Sequence, residues 1–118
     1  MQNVKSSENY LLLFRSVDWY KGLPEEKVQE IVTNWMDWYA RLVKNGVVES
    51  GRPLAREGRV VGNAGAISDG PFAEAKEMIG GFFLLTCHER EVAVAIAREC
   101  PAAAWATVEV RELGPCFE

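Results

Sequence analysis

Hydrophobic residues along the chain form two short continuous runs and one long stretch with a helical period. The runs are YLLLF at residues 10–14 and FFLLTC at residues 82–87, and each predicts a buried strand because it is too short for a helix. Between residues 24 and 44, apolar residues recur at steps of three and four, which predicts an amphipathic helix of about five turns. Pro24 is typical of its first turn and Asn45-Gly46 of its end.

Weaker patterns predict the remaining elements. Residues 47–53 are extended up to Gly51-Arg52-Pro53, and residues 59–61 and 66–68 flank a glycine-rich turn, which predicts a hairpin. Residues 72–77 are compatible with one helical turn. Thr86 and Glu89 have the spacing of a capping box and predict a second helix, which ends at Pro101. Its predicted buried stripe is Val92, Ala93, Ile96, Ala97 and Cys100, and the alternating residues 107–111 predict a last strand.

This order of elements predicts an α+β fold with the ferredoxin-like split β-α-β pattern, in which two helices cover one face of an antiparallel sheet. In the two apolar runs, successive residues point to opposite faces, so the sheet is apolar on both sides. Two helices cover one face only. We therefore expect the second sheet of a homodimer to cover the other face.

Composition and charge narrow the class of protein. The 118 residues are 48% hydrophobic and 25% charged, which predicts one folded domain over residues 1–118. A net charge of -4 argues against a nucleic-acid partner, since phosphate binding needs an excess of Lys and Arg. The polar N-terminus and short apolar runs predict a cytoplasmic protein without a membrane span. One His and three widely spaced Cys predict no metal site, and no motif indicates a cofactor.

One segment carries a specific motif. Residues 68–77 read SDGPFAEAKE and are followed by Gly80-Gly81-Phe82-Phe83. This string resembles the DGPF branch of the YCII-related proteins, and a looser likeness extends over nearly the whole chain. The resemblance implies a small bacterial dimer with a ferredoxin-like α/β-barrel fold, and a link to sigma-factor regulation in some members. It implies no particular reaction.

The motif also supplies the candidate site residues. Asp69 is the candidate acid/base group, and Gly70, Pro71, Phe72, Lys76 and Glu77 are candidate ligand-binding residues beside it. Shielding by aromatic side chains would raise the pKa of Asp69 into a useful range. The alternative is structural: Asp69 caps its turn, Pro71 fixes the backbone and Phe72 anchors the loop.

Four further features bear on the candidate site, and the first two have both a structural and a functional interpretation. Arg52, Arg56 and Arg59 form either a solvated loop or an anion site. Trp35, Trp38 and Trp105 form either core packing or a wall for a planar ligand, and Trp35 is the candidate ligand contact. His88 is expected in the first turn of the second helix, where a lone histidine is usually solvated, so it is not expected to have a catalytic role. The first helix lacks the histidine of the family's His-Asp arrangement, so the resemblance implies none of that chemistry here. Cys87 and Cys100 are expected to pack, whereas Cys116 is expected to be the most reactive thiol.

Two functions from different classes remain open. The first is a binding module whose aromatic cleft holds a small apolar or aromatic ligand, or whose surface contacts a regulatory partner. The second is a cofactor-free enzyme that uses Asp69 for acid/base chemistry on a small cyclic substrate. The first is favoured, because no nucleophile-base pair, metal cluster or phosphate-binding loop accompanies Asp69 in the sequence.

Overall fold

A computed structural model of the chain describes residues 9–15, 18–55, 57–70 and 78–114, with backbone alone at residues 63 and 68–70. Within these ranges the chain forms two α-helices, α1 and α2, and six strands. In chain order they are β1 (Tyr10–Arg15), α1 (Glu25–Lys44), β2 (Val48–Pro53), β3 (Gly58–Val61), β4 (Ile67–Gly70), β5 (Ile79–Leu85), α2 (Arg90–Arg98) and β6 (Val108–Glu112).

Four of the strands form an antiparallel sheet in the order β2-β5-β1-β6. Since β1 and β2 both run antiparallel to β5 between them, they are parallel to each other and their carboxyl ends lie at the same end of the sheet. The predicted ferredoxin-like α+β fold is confirmed. The predicted hairpin is also confirmed, with β3 and β4 paired as a separate two-stranded sheet.

Helix α1 begins and ends where the sequence pattern predicts. Pro24 is its N-cap, and Glu25 and Glu26 lie in the first turn, where carboxylates interact favourably with the helix dipole. At the other end, the backbone N–H of Val47 donates to Leu42 O over 2.9 Å. Gly46 takes a positive φ of 74° there, a conformation that glycine adopts without a steric penalty.

The core lies between the two helices and one face of the sheet. Its helical residues are Ile31, Trp38 and Leu42 from α1 and Ala93, Ile96 and Ala97 from α2. Its strand residues include Tyr10, Leu12, Phe14, Phe83 and Leu85. Alternate residues of the same strands lie on the other face, where Leu11, Leu13, Phe82 and Leu84 are half-buried. The predicted apolar character of both sheet faces is thus present.

The start of α2 differs from the prediction. Thr86 does not cap this helix: its hydroxyl donates to Gly46 O over 2.8 Å, because the pairing of Val48 with Leu85 brings the end of β5 beside the two residues before β2. Glu89 is the N-cap and makes no side-chain cap hydrogen bond. The capping-box prediction was therefore wrong, and His88 lies in the preceding loop rather than in the helix.

Two further differences concern the edges of elements. Val92 was predicted in the buried stripe of α2, but 41% of it is exposed. Gly80 and Gly81 were predicted to precede the strand, but they belong to β5, where Gly81 pairs with Phe14 on one side and Pro53 on the other. The predicted helical turn at residues 72–77 lies outside the described residues.

We expect the substitution Gly51→Ala to lower the free energy of unfolding by about 1–3 kcal/mol. A Cβ atom at this position would lie 2.7 Å from Phe83 Cδ1 and 3.1 Å from Tyr39 Cε1. Both rings pack against each other, so neither moves freely. Urea denaturation measures the change, and Gly62→Ala is the control because its Cβ would meet nothing closer than 3.9 Å. Equal effects of the two substitutions would contradict the predicted overpacking.

Candidate functional site

An open cavity of about 840 Å³ lies between α1 and the end of the sheet where β1 and β2 terminate. Its residues come from five segments. The loop before α1 and α1 itself contribute Trp19, Tyr20, Val32, Trp35, Met36, Tyr39 and Ala40. The strand ends and the residue after β2 contribute Phe14, Arg15, Gly51, Arg52, Pro53, Leu54, Gly80, Gly81, Phe82 and Phe83.

Aromatic rings in mutual contact form much of the cavity wall. Phe14 lies at the centre, with its ring 4.7 Å from that of Phe83 and 5.1 Å from that of Trp35 between centroids. Trp19 extends the wall beyond Trp35 at 6.2 Å, and Tyr39 extends it beyond Phe83 at 5.0 Å. Such edge and tilted contacts hold each ring in place, so the wall is largely formed before any ligand arrives.

On the sheet side, glycines line the cavity, so backbone atoms rather than side chains form that part of its wall. Gly51 and Gly81 face the helices in neighbouring strands, beside Phe83 and Pro53. A Cβ atom at Gly81 would lie 3.0 Å from Arg52 O, so a side chain there would require the two strands to shift by a few tenths of an ångström. Gly51, where a Cβ atom would lie 3.1 Å from Tyr39 Cε1, therefore keeps space open between the sheet and Tyr39.

The charged residues among those that line the cavity are Arg15 and Arg52. Their side chains extend from the sheet face away from the helices. They border the cavity only because it lies at the end of the sheet where β1 and β2 terminate. The guanidinium of Arg15 donates to Glu109 Oε1 over 3.2 Å, while its Nε atom is buried without a hydrogen-bond partner. Arg52 is exposed and forms no ion pair within the described ranges.

Two of the predicted ligand contacts, Trp35 and Arg52, thus line the cavity together, and their binding role stays a prediction. The wall does not contain all three predicted tryptophans. Trp38 is 1% exposed in the core, and Trp105 is 39% exposed beside Lys27, whose Nζ lies 5.9 Å from the ring centroid.

Sequence reasoning missed Trp19 and Tyr39. Trp19 lies in the loop that follows β1, and its neighbour Tyr20 is the available signal, since two adjacent aromatics are unusual in a solvated loop. Tyr39 follows Trp35 by four residues on one helix face. Its placement depends on Gly51, which is distant in sequence.

The DGPF motif lies at the limit of the described residues. Asp69 and Gly70 belong to β4, and the backbone of Asp69 is paired with that of Arg59 in β3. The Asp69 side chain lies outside what the structure describes, as do Pro71, Phe72, Lys76 and Glu77. The roles predicted for these six residues therefore stay predictions. Arg56 of the predicted arginine cluster also lies outside, and Arg59 is in the hairpin whereas Arg52 is in the main sheet.

The two described cysteines both pack against apolar neighbours, as predicted. Burial raises the pKa of the half-buried Cys87 thiol, and burial raises the pKa of the Cys100 thiol from its usual 9.0 to about 11. Both thiols are consequently poor nucleophiles at neutral pH. Cys116 lies outside the described residues.

The raised pKa of Cys100 leads us to expect that the protein becomes less stable at high pH. Its folded-state pKa is raised, so the unfolded chain loses this proton first, and stability that is fully present below pH 9 is lost as the pH rises toward 11. The loss approaches about 2–3 kcal/mol for a shift of this size. Denaturation at a series of pH values, with Cys100→Ala as the matched variant, isolates this contribution. Identical pH slopes for the two proteins would contradict it.

Other kinds of site find no support within the described ranges. No three His, Cys, Asp or Glu residues there could together hold a metal ion. No helix of the described part is long and apolar enough to cross a membrane. The geometry instead suits a planar, mostly apolar molecule, since the walls are aromatic and the charges lie at the border.

Comparison with known proteins identifies the family of the chain. The family model described as the YCII-related domain matches residues 13–116, which includes every described element except the first residues of β1. The chain belongs to the YCII-related family. A search of the curated proteins found no match. For this YCII-related domain, the narrower DGPF branch indicated by residues 69–72 stays a prediction.

Proposed function

We propose that this YCII-related protein binds a small apolar or aromatic ligand in the cavity between α1 and the sheet. The observation that carries the proposal is the aromatic wall of Phe14, Trp19, Trp35, Tyr39 and Phe83 around a cavity of about 840 Å³. Ligand pockets in proteins range from about 300 to 1,000 Å³ and are lined mainly by hydrophobic and aromatic side chains.

Exposed apolar residues at the border of the cavity support the same function. Met36 is 66% exposed and Tyr20 is 44% exposed, and both line the cavity. Removal of apolar surface from water is favourable. A bound apolar molecule that covers these side chains would therefore gain about 25 cal/mol of binding free energy per Å² of apolar surface buried.

The proposal includes a homodimer formed through the face of the sheet away from the helices. Leu11, Leu13, Phe82 and Leu84 form an apolar patch on that face. A second copy of the same patch would bury these side chains from both chains at once. Light scattering is expected to give twice the mass of the 13.2 kDa chain, and a mass of one chain would contradict this part.

Calorimetric titration with 2-naphthamide, a neutral two-ring compound, tests ligand binding. We expect saturable binding that Ala40→Phe weakens at least about tenfold, because residue 40 lines the cavity and a ring there would occupy ligand space. Ala95→Phe is the matched control, since Ala95 is exposed on α2 away from the cavity. If the unaltered protein binds neither 2-naphthamide nor a charged compound with the same ring system, or if the two variants lose binding equally, the proposal is overturned.

A further inference from the structure

The described charged residues at the border of the cavity are all positive. Arg15 and Arg52 are the charged residues that line it, and no described carboxylate does so, although the chain as a whole carries a net charge of -4. β1 and β2 are separated by β5 alone, and Arg15 pairs with Ile79 of β5 whereas Arg52 pairs with Phe82, so the two arginine backbones lie roughly 12–14 Å apart at the same end of the sheet.

The positive charge at this end is only partly neutralised. Glu109 contacts Arg15 over 3.2 Å and Arg111 over 3.7 Å, so one carboxylate faces two guanidinium groups. Arg52, which has no ion pair in the described part of the chain, adds a further positive charge on the other side of β5. A cleft with low-dielectric walls and charge of one sign concentrates its electric field and attracts the opposite charge.

Polar groups on the aromatic wall favour the same kind of ligand. The indole N–H groups of Trp19 and Trp35 are donors only, and the Tyr39 hydroxyl is able to donate. None of these three side chains forms a hydrogen bond with other described residues. A ligand that carries hydrogen-bond acceptors would complement them.

From these two observations we infer that the ligand is an organic acid, with a planar apolar body against the aromatic wall and a carboxylate toward the end bordered by Arg15 and Arg52. The inference rests on the proposed function and specifies the class of ligand. Aromatic walls also bind organic cations through their π faces. The two arginines at the border of the cavity would repel a cation.

Three probes with one ring system separate the alternatives. They are 2-naphthoate, which is anionic at pH 7, 2-naphthamide, which is neutral, and 2-naphthylmethylamine, which is cationic. In calorimetric titrations at low salt, we expect the acid to bind at least about tenfold more tightly than the amine, with the amide between them. The preference should shrink as salt is added, because dissolved ions screen the attraction between the ligand carboxylate and the arginines.

Arginine variants then test whether Arg52 causes the preference for the acid over the amide. Arg52→Gln is expected to weaken 2-naphthoate binding about tenfold and to leave 2-naphthamide binding within about twofold, whereas Arg98→Gln, an exposed control on α2, should change neither. Equal affinity for acid and amide, tighter binding of the amine, or an unchanged preference in Arg52→Gln would overturn the inference while leaving the proposed function intact. Failure of all three probes to bind would overturn both.

Discussion

Replacement of Trp38 with alanine is expected to lower the free energy of unfolding by about 3–5 kcal/mol, the range for a large aromatic residue removed from a protein core. Trp38 is 1% exposed, and its ring lies 5.3 Å from that of Phe83 and 6.2 Å from that of Phe14. Its indole N–H also donates to Glu99 Oε1 over 3.3 Å, which joins α1 to the residue that ends α2.

Two other variants make this prediction specific. Trp105→Ala is the matched control, since Trp105 is 39% exposed and contacts Lys27. We expect its cost to be within about 1 kcal/mol. Trp38→Phe keeps a ring in the core but removes the donor to Glu99, and it should fall between the two. Urea denaturation of all three gives the order, and a cost for Trp38→Ala no larger than for Trp105→Ala would contradict the assigned core.

Replacement of Trp35 with alanine is expected to weaken 2-naphthamide binding by roughly 10- to 100-fold. Trp35 joins the central ring of the wall, Phe14, to Trp19, and its loss removes a contact surface worth about 1.5–3 kcal/mol when fully covered. Each 1.4 kcal/mol corresponds to about tenfold in affinity. Calorimetric titration well below the unfolding temperature measures the loss without interference from reduced stability.

Binding by Trp105→Ala provides the comparison for this second prediction. Trp105 lies outside the cavity, so its removal should leave the affinity for 2-naphthamide within about twofold. Equal losses in the two variants would show that binding depends on general stability rather than on the wall. Undiminished binding in Trp35→Ala would show that the ligand lies elsewhere.

Local sequence patterns predicted the fold where local interactions determine it. The three- and four-residue spacing from Val28 to Val43 and the Asn45-Gly46 stop belong to α1 itself, and the helix follows them. The start of α2 was missed because Thr86 bonds to Gly46 and Val47, partners about forty positions away. A capping-box pattern contains no information about such a competing acceptor.

The cavity was predicted only in part for the same reason. Trp35 is recognisable because it lies in a helical aromatic stripe, but the stripe alone does not show that Trp38 enters the core whereas Tyr39 lies over Gly51. That division follows from the crossing of α1 over β2 and β5. Arg52 was grouped with Arg59 because they are close in sequence, yet they belong to different sheets.

The position of a bound ligand tests the central claim most directly. Nuclear Overhauser contacts between the ring protons of 2-naphthoate and protein side chains report which residues lie within about 5 Å. We expect contacts to the Met36 methyl group and the Trp35 indole, which line the cavity, and none to Trp105 or to Val92 of α2. Contacts to Trp105 or Val92 in place of those to Met36 and Trp35 would contradict a ligand site between α1 and the sheet.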